Sequence, residues 1–272
     1  MIIDCHTHTG VKLGFNMAQE KLLEAMEKYN IDFCIFSDCE SAECDHNQRL
    51  LPKNLQQSQE EVYRQALRFA RKHKGRLAVM PWVKPQTQGV TEELEQLLAE
   101  NLDITAGIKV HPYHSNMPFD GKEVESYIKL AEKYDLPVLT HTGNNDVDDC
   151  TRVFNMAEKY PKVKFIMGHM GLGTDNSKAI ELMKRQFNLY GDTAWVPIES
   201  TIKAMAECGS DRMVFGSDAT IDGADTYYCN PKGEPSLYRQ YFGKLKELLS
   251  KEDYDKLMYK NALNIFNLNK FL

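Results

Sequence analysis

The chain begins Met-Ile-Ile-Asp-Cys-His-Thr-His at residues 1–8, where an apolar start leads directly into two histidines separated by one residue. On a β-strand, side chains two residues apart point to the same face. The imidazoles of His6 and His8 are therefore expected side by side at the end of a first strand. Such a pair chelates a metal ion if further ligands arrive from elsewhere in the chain.

Short β-rich runs alternate with amphipathic helical patterns along the rest of the chain. Strands are predicted at residues 2–5, 32–36, 76–83, 105–110, 137–140, 162–167, 189–195 and 212–215. Helices with apolar residues three and four apart are predicted at residues 17–29, 57–73, 92–101, 121–134 and 151–160. This alternation is typical of parallel strands with right-handed crossovers, and eight such units close into a (β/α)8 TIM barrel.

An open, doubly wound α/β sheet is the alternative fold. It usually carries a glycine-rich phosphate-binding turn after its first strand, whereas this chain has His-Thr-His-Thr-Gly at residues 6–10. No linker or shift of composition divides the sequence, so a single domain over residues 1–272 is predicted, with C-terminal helices from about residue 236. These last helices, at residues 238–249 and 251–268, are expected on the outside of the barrel.

The overall composition limits the partners. The 272 residues carry 39 acidic and 33 basic side chains, a formal charge of −6, and no basic cluster, which argues against a nucleic-acid partner. The sequence begins without a basic and then apolar leader, and no stretch approaches the roughly 18 apolar residues of a membrane span. We therefore predict a cytoplasmic protein that acts on a small molecule without a membrane partner; a homo-oligomer is left open.

The seven cysteines are an odd number, which favours reduced thiols over a disulfide framework. Cys39, Cys44 and His46 cluster in a polar stretch, but their spacing matches no common zinc motif and a fourth ligand is not evident. A loop is predicted there rather than a metal site.

Groups that can bind a metal or move a proton follow five of the eight predicted strands. They are His6 and His8 after the first strand, Lys109 and His111 after the fourth, His141 after the fifth, His169 after the sixth and Asp218 after the eighth. A lone histidine in such a place is more often a structural residue than a ligand. Barrel enzymes, however, build their active sites at the C-terminal ends of the strands, so five converging ends predict a site. Glycines near the last three residues are expected to leave room for a ligand.

The residue types in this set favour metal-assisted hydrolysis. Imidazoles and a carboxylate at the mouth of a barrel suit zinc or a similar divalent ion with a coordination position open to water. Such an ion lowers the pKa of bound water from about 15.7 toward about 7. Asp218 is expected to accept the proton of the attacking water, and His169 to polarise a carbonyl or protonate a leaving group.

The sequence resembles the amidohydrolase superfamily, in particular its amidohydrolase-related branch of metal-dependent (β/α)8 hydrolases and decarboxylases. The matching motifs run in the family's order from residue 2 to about residue 268. They are Asp-Cys-His-Thr-His at 4–8, Gly-Ile-Lys-Val-His-Pro at 107–112, Thr-His-Thr-Gly at 140–143, Gly-His-Met-Gly at 168–171 and Gly-Ser-Asp at 216–218.

The resemblance implies a mononuclear site in which the metal ligands are His6, His8, His141 and Asp218 and in which His169 is catalytic. It also implies that Lys109 meets an anionic group of the substrate, and we assign His111 to substrate binding beside it. In binuclear branches a carboxylated lysine after the fourth strand bridges two ions, and that alternative stays open. Nuclease-like relatives supply a glutamate where this chain has Lys109, which argues against a deoxyribonuclease.

Three hypotheses about function follow. The leading one is a metal-dependent hydrolase of an amide, lactone or related C–N or C–O bond in a small molecule. The first alternative is a non-oxidative decarboxylase of an aromatic or unsaturated carboxylic acid, and the second is a non-catalytic barrel that binds a ligand. Loops at residues 37–57 and 219–237 are long enough to cover a pocket. In the second loop, Asp222, Asp225, Tyr227 and Tyr228 are either substrate contacts or surface residues.

Overall fold

The computed structural model describes residues 1–221, 223–226 and 236–271. Its strands are all parallel and follow the predicted order. They are β1 (Ile3–Thr9), β2 (Phe33–Asp38), β3 (Leu77–Val79), β4 (Ile108–Val110), β5 (Val138–Gly143), β6 (Phe165–Leu172), β7 (Leu189–Asp192) and β8 (Met213–Val214).

Two seams close these strands into a ring. Strands β1 to β3 form one sheet and β4 to β8 a second. Parallel bridges between Val79 and Thr105 and between Trp82 and Lys109 join the sheets on one side. On the other side, the Cys5 amide donates to the Phe215 carbonyl at 2.9 Å. The predicted (β/α)8 barrel is confirmed. The alternative, an open doubly wound sheet, is wrong, because the edge strands of an open sheet would not be joined by these bridges and hydrogen bonds.

Helices cover the outside of the ring. They are α1 (Gln19–Tyr29), α2 (Gln59–Lys72), α3 (Glu92–Glu100), α4 (Pro112–Ser115), α5 (Lys122–Lys133), α6 (Cys150–Lys159), α7 (Ser177–Arg185) and α8 (Ile198–Cys208). The five predicted helices are present, with their ends within two residues of the predicted ones. Their apolar faces and the outward side chains of the strands form the larger core. No helix among the described residues is long and apolar enough to cross a membrane.

The C-terminal segment contains two helical stretches in which α-helical and π-helical turns alternate. The first comprises α9 (Leu237–Arg239), a π-helical turn (Gln240–Lys244) and α10 (Leu245–Leu248), and the second comprises α11 (Lys251–Asp255), a π-helical turn (Lys256–Lys260) and α12 (Asn261–Ile265). Ala262 and Phe266 pack with Ile3 and Ile35 in the second core, which fills the inside of the ring. This segment therefore seals the barrel interior in addition to covering its outside. The single domain over residues 1–272 stays a prediction.

Candidate metal centre and active site

All seven residues singled out in the sequence line one pocket of about 450 Å³ at the C-terminal end of the barrel. They are His6, His8, Lys109, His111, His141, His169 and Asp218. The remaining lining is largely apolar or aromatic, with Phe15, Trp82, Tyr113 and Trp195 among its members. The placement of functional groups at the ends of parallel strands therefore brought the predicted set together.

His6 lies at the centre of the polar cluster, next to a bulge in β1 between Asp4 and Thr7. Its Nδ1 lies 2.6 Å from Oδ2 of Asp192, a fully buried carboxylate at the end of β7. Because a neutral imidazole donates through one nitrogen only, this contact leaves the Nε2 lone pair facing the pocket. Burial, followed by the charge of Lys109, holds the pKa of His6 well below its usual value.

Asp218 presents its two oxygens to different partners. Its Oδ1 lies 3.0 Å from Nε2 of His8 and 3.4 Å from Nε2 of His6. Its Oδ2 accepts a hydrogen bond from the indole Nε1 of Trp195 at 2.7 Å. Burial alone would raise the pKa of Asp218, but the hydrogen bond from His8 and the nearby imidazoles hold it below its usual range. The group is therefore a carboxylate at neutral pH.

The tightest group of metal-ligand atoms in the described residues consists of one atom each from His6, His169 and Asp218. These three atoms lie within 4.8 Å of one another. His8 joins them through its contact with Asp218. His141 lies next to the group, with its ring centre 4.8 Å from that of His169, and its Nε2 is 3.4 Å from Oδ2 of Asp148. His169, for which the resemblance implied a catalytic role, therefore lies among the candidate metal ligands.

His169 is held in one orientation by its neighbours. Its Nδ1 lies 3.1 Å from the Ala194 carbonyl, and its amide donates to Oδ1 of Asp192 at 2.8 Å. Since a carbonyl only accepts, Nδ1 carries the hydrogen and Nε2 carries a lone pair. Burial lowers the pKa of His169 to about 4. Its backbone has a φ of 68°, a left-handed conformation that non-glycine residues seldom adopt outside functional sites.

Lys109 is fully buried at the bottom of the pocket. Its Nζ lies 2.7 Å from Nε2 of His6, so the ammonium donates to the lone pair that His6 turns to the pocket. Burial lowers the pKa of Lys109 to about 8, against the attraction of Asp218 and Asp192. A metal ion bound by His6 and the ammonium of Lys109 would therefore compete for the lone pair on Nε2 of His6.

His111 belongs to a stack of three nearly parallel rings in the pocket wall. Its ring centre lies 4.8 Å from that of Trp82 and 4.2 Å from that of His141, with interplanar angles of 10° and 11°. Its Nδ1 accepts the backbone N–H of His114 at 3.3 Å, which leaves the hydrogen on Nε2. Both faces of the His111 ring are therefore covered, and its Nε2–H is a neutral hydrogen-bond donor at the edge of the stack.

Glycines beside these residues make room for side chains of the site itself. A Cβ on Gly168 would lie 3.0 Å from Cε1 of His6, and one on Gly216 would lie 2.8 Å from its Cβ. A Cβ on Gly143 would lie 2.8 Å from Oδ2 of Asp148. At Gly168 and Gly216 the space expected for a ligand is therefore occupied by His6 and its neighbours, whereas Gly143 lines the pocket.

Sequence reasoning missed Asp192 and Trp195. The predicted strand at 189–195 ran past Asp192, which therefore appeared to lie inside a strand rather than at its end. The backbone leaves the extended conformation here, and Trp195 has a φ of 60°. The Gly-Asp pair at residues 191–192 was the available signal, since glycine also precedes His169 directly at the end of β6.

The remaining polar residues named from the sequence lie outside the pocket centre. Cys39 and Cys44 are buried free thiols, and Nε2 of the exposed His46 lies 2.9 Å from the Leu13 carbonyl. Among the described residues no metal-ligand group includes these three, and the loop stays a prediction. Asp225 binds Lys28 and Tyr29 of α1. Asp222, Tyr227, Tyr228 and Cys229 lie outside the described residues.

Comparison with known sequences adds a family. The profile of the family described as amidohydrolase matches residues 3–268. No curated protein sequence matches the chain.

Solved structures similar to this chain include three decarboxylases. A dihydroxybenzoic acid decarboxylase from a Polaromonas species, with bound manganese and the inhibitor 2-nitroresorcinol, is 17% identical, with 98% of this chain and 97% of that chain covered and a TM-score of 0.68. A 5-carboxyvanillate decarboxylase from Novosphingobium aromaticivorans, complexed with manganese and 4-hydroxy-3-methoxy-5-nitrobenzoic acid, is 13% identical, with 98% and 96% covered and a TM-score of 0.71. A 2,6-dihydroxybenzoate decarboxylase from Rhizobium is 16% identical, with 98% and 99% covered and a TM-score of 0.68. At these identities the likeness concerns the fold.

Proposed function

Because the chain belongs to the amidohydrolase family and is an enzyme, we propose that it removes CO2 without oxidation from a planar aromatic carboxylic acid. The observation that carries the proposal is the pocket, which combines buried Lys109 and imidazoles at its bottom with a largely apolar and aromatic lining. A carboxylate meets the lysine, and a flat ring packs against the aromatic side chains of the lining, among them Phe15 and Tyr113. The decarboxylases that share the barrel support this choice over hydrolysis.

The proposed cofactor is a divalent metal ion, and the donor atoms fit one. Asp192 turns the Nε2 lone pair of His6 to the pocket, and Oδ1 of Asp218 faces the same space. Neutral imidazoles with a carboxylate suit zinc and also manganese, which the similar decarboxylases hold. We propose His6, His8, His141 and Asp218 as the ligands. His169 lies close enough to compete for a ligand position.

Proton transfer is the task of Asp218 and His169. A divalent ion held by the proposed ligands would supply Lewis-acid polarisation of substrate oxygens. The ring carbon that loses CO2 must gain a proton, yet both residues are proton acceptors in the substrate-free protein, as their hydrogen bonds indicate. The proton is therefore expected to come from a ring hydroxyl of the substrate through Asp218, and the electron pair of the broken C–C bond stays with the ring.

Substrate recognition falls to Lys109 and His111. Lys109 contacts the His6 lone pair that would hold a metal ion, and its ammonium would be free to pair with the substrate's carboxylate when that lone pair is taken. His111 donates Nε2–H to an oxygen of the substrate, because its Nδ1 already accepts the His114 amide. A carboxylated Lys109 that bridges two ions is the alternative, and a carbamate 13C NMR signal from the folded protein in 13C-bicarbonate separates the two.

Hydrolysis of an amide, lactone or related bond is the second candidate function. It is favoured by the same property of Asp218, since a buried carboxylate that accepts hydrogen bonds also suits the removal of a proton from water. The two reactions differ in whether CO2 leaves.

The test is an assay of protein loaded with manganese or with zinc. Release of CO2 is measured from 2,6-dihydroxybenzoate, 5-carboxyvanillate and related hydroxybenzoates, beside hydrolysis of lactones, amides and p-nitrophenyl esters. CO2 release from a hydroxybenzoate supports the proposal, and benzoate without a ring hydroxyl should be inert. Hydrolysis without CO2 release from any acid would overturn the first choice in favour of the second.

Three single variants separate ligands from the catalytic residue. His6→Ala and His8→Ala should each lose the metal, as measured by elemental analysis after gel filtration. His169→Ala should retain the metal and lose turnover. Loss of metal from His169→Ala would make His169 a ligand instead, and full activity of either strand β1 variant would contradict the site.

A further inference from the structure

Trp195 lines the pocket and donates a hydrogen bond from its indole to Asp218, with a distance of 2.7 Å from Nε1 to Oδ2. The other oxygen of Asp218 faces His8 and His6. We propose that Trp195 is a positioning residue, which holds Oδ2 so that Asp218 offers only Oδ1 to a metal ion. This inference rests on the proposed metal site.

The backbone on both sides of Trp195 is held by hydrogen bonds, so the position from which the indole projects is fixed. Before it, the Ala194 amide donates to Oδ1 of Asp192 at 3.2 Å, and the Ala194 carbonyl contacts Nδ1 of His169. After it, the Val196 carbonyl accepts the hydroxyl of Tyr241 at 3.0 Å. The segment is thereby tied to β6, β7 and the C-terminal helices.

The two partners also share an unusual backbone conformation. Trp195 has a φ of 60° and Asp218 a φ of 61°, both in the left-handed region. A non-glycine residue keeps such a conformation only where its surroundings enforce it. The left-handed conformations after β7 and β8 together bring the indole N–H of Trp195 to Oδ2 of Asp218.

The chemistry of an indole suits this task. Its N–H donates and never accepts, and it carries no charge. A lysine or arginine in the same place would neutralise the carboxylate and weaken its attraction for a cation. Trp195 instead fixes the plane of the carboxylate and leaves its negative charge available to the metal. Outer partners of this kind typically change metal affinity about 10- to 100-fold when they are removed.

The experiment compares Trp195→Phe with Trp82→Phe as the matched control. Both variants remove an indole N–H from the same pocket, but Nε1 of Trp82 has no hydrogen-bond partner among the described residues. Affinity for Mn²⁺ and for Zn²⁺ is measured by competition with a chromogenic chelator, and folding by thermal melting. We expect Trp195→Phe to weaken metal binding about 10-fold or more and Trp82→Phe, which removes no hydrogen bond to a ligand, to weaken it much less. If Trp195→Phe does not fold, benzothienylalanine at position 195 keeps the shape of the indole without its N–H.

The same measurement in an Asp218→Asn background tests whether Trp195 acts through Asp218. Trp195→Phe should then have no further effect on metal affinity. An equal loss in that background, or no loss in the wild-type background, would overturn the role of Trp195. If Asp218→Asn itself left the affinity unchanged, Asp218 would not be a ligand, and the proposed metal site would fail together with the inference. If Asp218→Asn weakened metal binding and Trp195→Phe did not, the proposed metal site would be supported and only the role of Trp195 would be overturned.

Discussion

At the scale of single residues, the site depends on carboxylates that hold imidazoles. Asp192 accepts from His6 through one oxygen and from the His169 amide through the other, so one buried group orients two candidate functional histidines. Burial raises the pKa of Asp192 to about 6, which still leaves it mostly ionised at neutral pH. The carboxylate can therefore fix which nitrogen of His6 faces the pocket.

Replacement of this carboxylate tests that role. In Asp192→Asn, the amide NH2 can face Nδ1 of His6 and favour the tautomer with its hydrogen on Nε2. Metal affinity is expected to fall about 10- to 100-fold, as measured by chelator competition. Asp211→Asn, a change outside the pocket, serves as the control. Unchanged metal affinity in Asp192→Asn would mean that His6 does not need this partner.

The close contact between Gly168 and His6 allows a second test at the same scale, because the ring of His6 lies where a side chain at residue 168 would begin. In Gly168→Ala the new Cβ would be 2.9 Å from the Thr140 carbonyl oxygen and 3.0 Å from Cε1 of His6. Overpacking of this kind costs about 1–3 kcal/mol of the free energy of unfolding. Gly243→Ala is the control, since its Cβ would meet nothing within 4 Å and should stabilise the helix by about 0.5–1 kcal/mol. Urea unfolding measures the free energy of unfolding of both variants. Equal stabilities would contradict the close contact of Gly168 with His6.

At the scale of elements, the sequence pattern predicted the eight strands, five helices and the two C-terminal helical stretches, but several strand ends differ. Strand β1 extends beyond residue 5 to Thr9, since its polar residues pair with β2 as well as its apolar ones do. Helices α7 and α8 were missed. The first lacks a side-chain hydrogen bond at its N-terminus, and the second is rich in β-branched Ile198, Thr201 and Ile202, which have low helix propensity.

The candidate site was predictable where it depended on one residue at each strand end. His6, His141 and Asp218 needed only the polarity of those ends and the rule that such ends converge. Asp192, Trp195 and the stack around His111 could not be predicted in this way. Their roles depend on left-handed turns and ring orientations, which arise from contacts between distant segments.

The loops that follow β2 and β4 are joined by His114. Its Nδ1 lies 3.0 Å from the Cys44 carbonyl, and its own carbonyl accepts the Glu43 and Cys44 amides at 3.0 and 2.7 Å. Burial lowers the pKa of His114 to about 4, whereas an unfolded histidine titrates near 6.5. Between these values the unfolded chain binds a proton that the folded chain does not, so stability is lost as pH falls through this window.

This linkage gives a measurable pH dependence. From pH 7 to pH 5, His114 should contribute a loss of about 2 kcal/mol to the free energy of unfolding. His114→Gln removes the titration and leaves every other ionisable group in place, so its stability should fall less over the same interval by that amount. Urea unfolding of both proteins at the two pH values gives the difference directly. Parallel pH profiles would show that His114 is protonated alike in the folded and unfolded chain.

At the scale of the whole molecule, the candidate metal centre lies where the barrel closes. The three closest ligand atoms come from His6 on β1, His169 on β6 and Asp218 after β8, and the β8–β1 seam also carries the bond from the Asp218 amide to the His6 carbonyl at 2.8 Å. A metal ion held there connects both sheets of the ring. Its binding energy therefore counts toward the stability of the closed barrel, because the unfolded chain does not assemble these ligands.

Metal removal and return should consequently change the melting temperature. At a free metal concentration 100 times the dissociation constant, the ion adds about 2.7 kcal/mol. A chain of this size gains roughly 2–4 °C in Tm for each kcal/mol. Chelator-treated protein should therefore melt several degrees lower than the same protein given Mn²⁺ or Zn²⁺. His6→Ala, measured beside it, should show no such gain, since the ring then lacks a ligand on β1. An equal gain in both proteins would place the ion elsewhere, and no gain in the wild-type chain would count against a metal that links the two sheets.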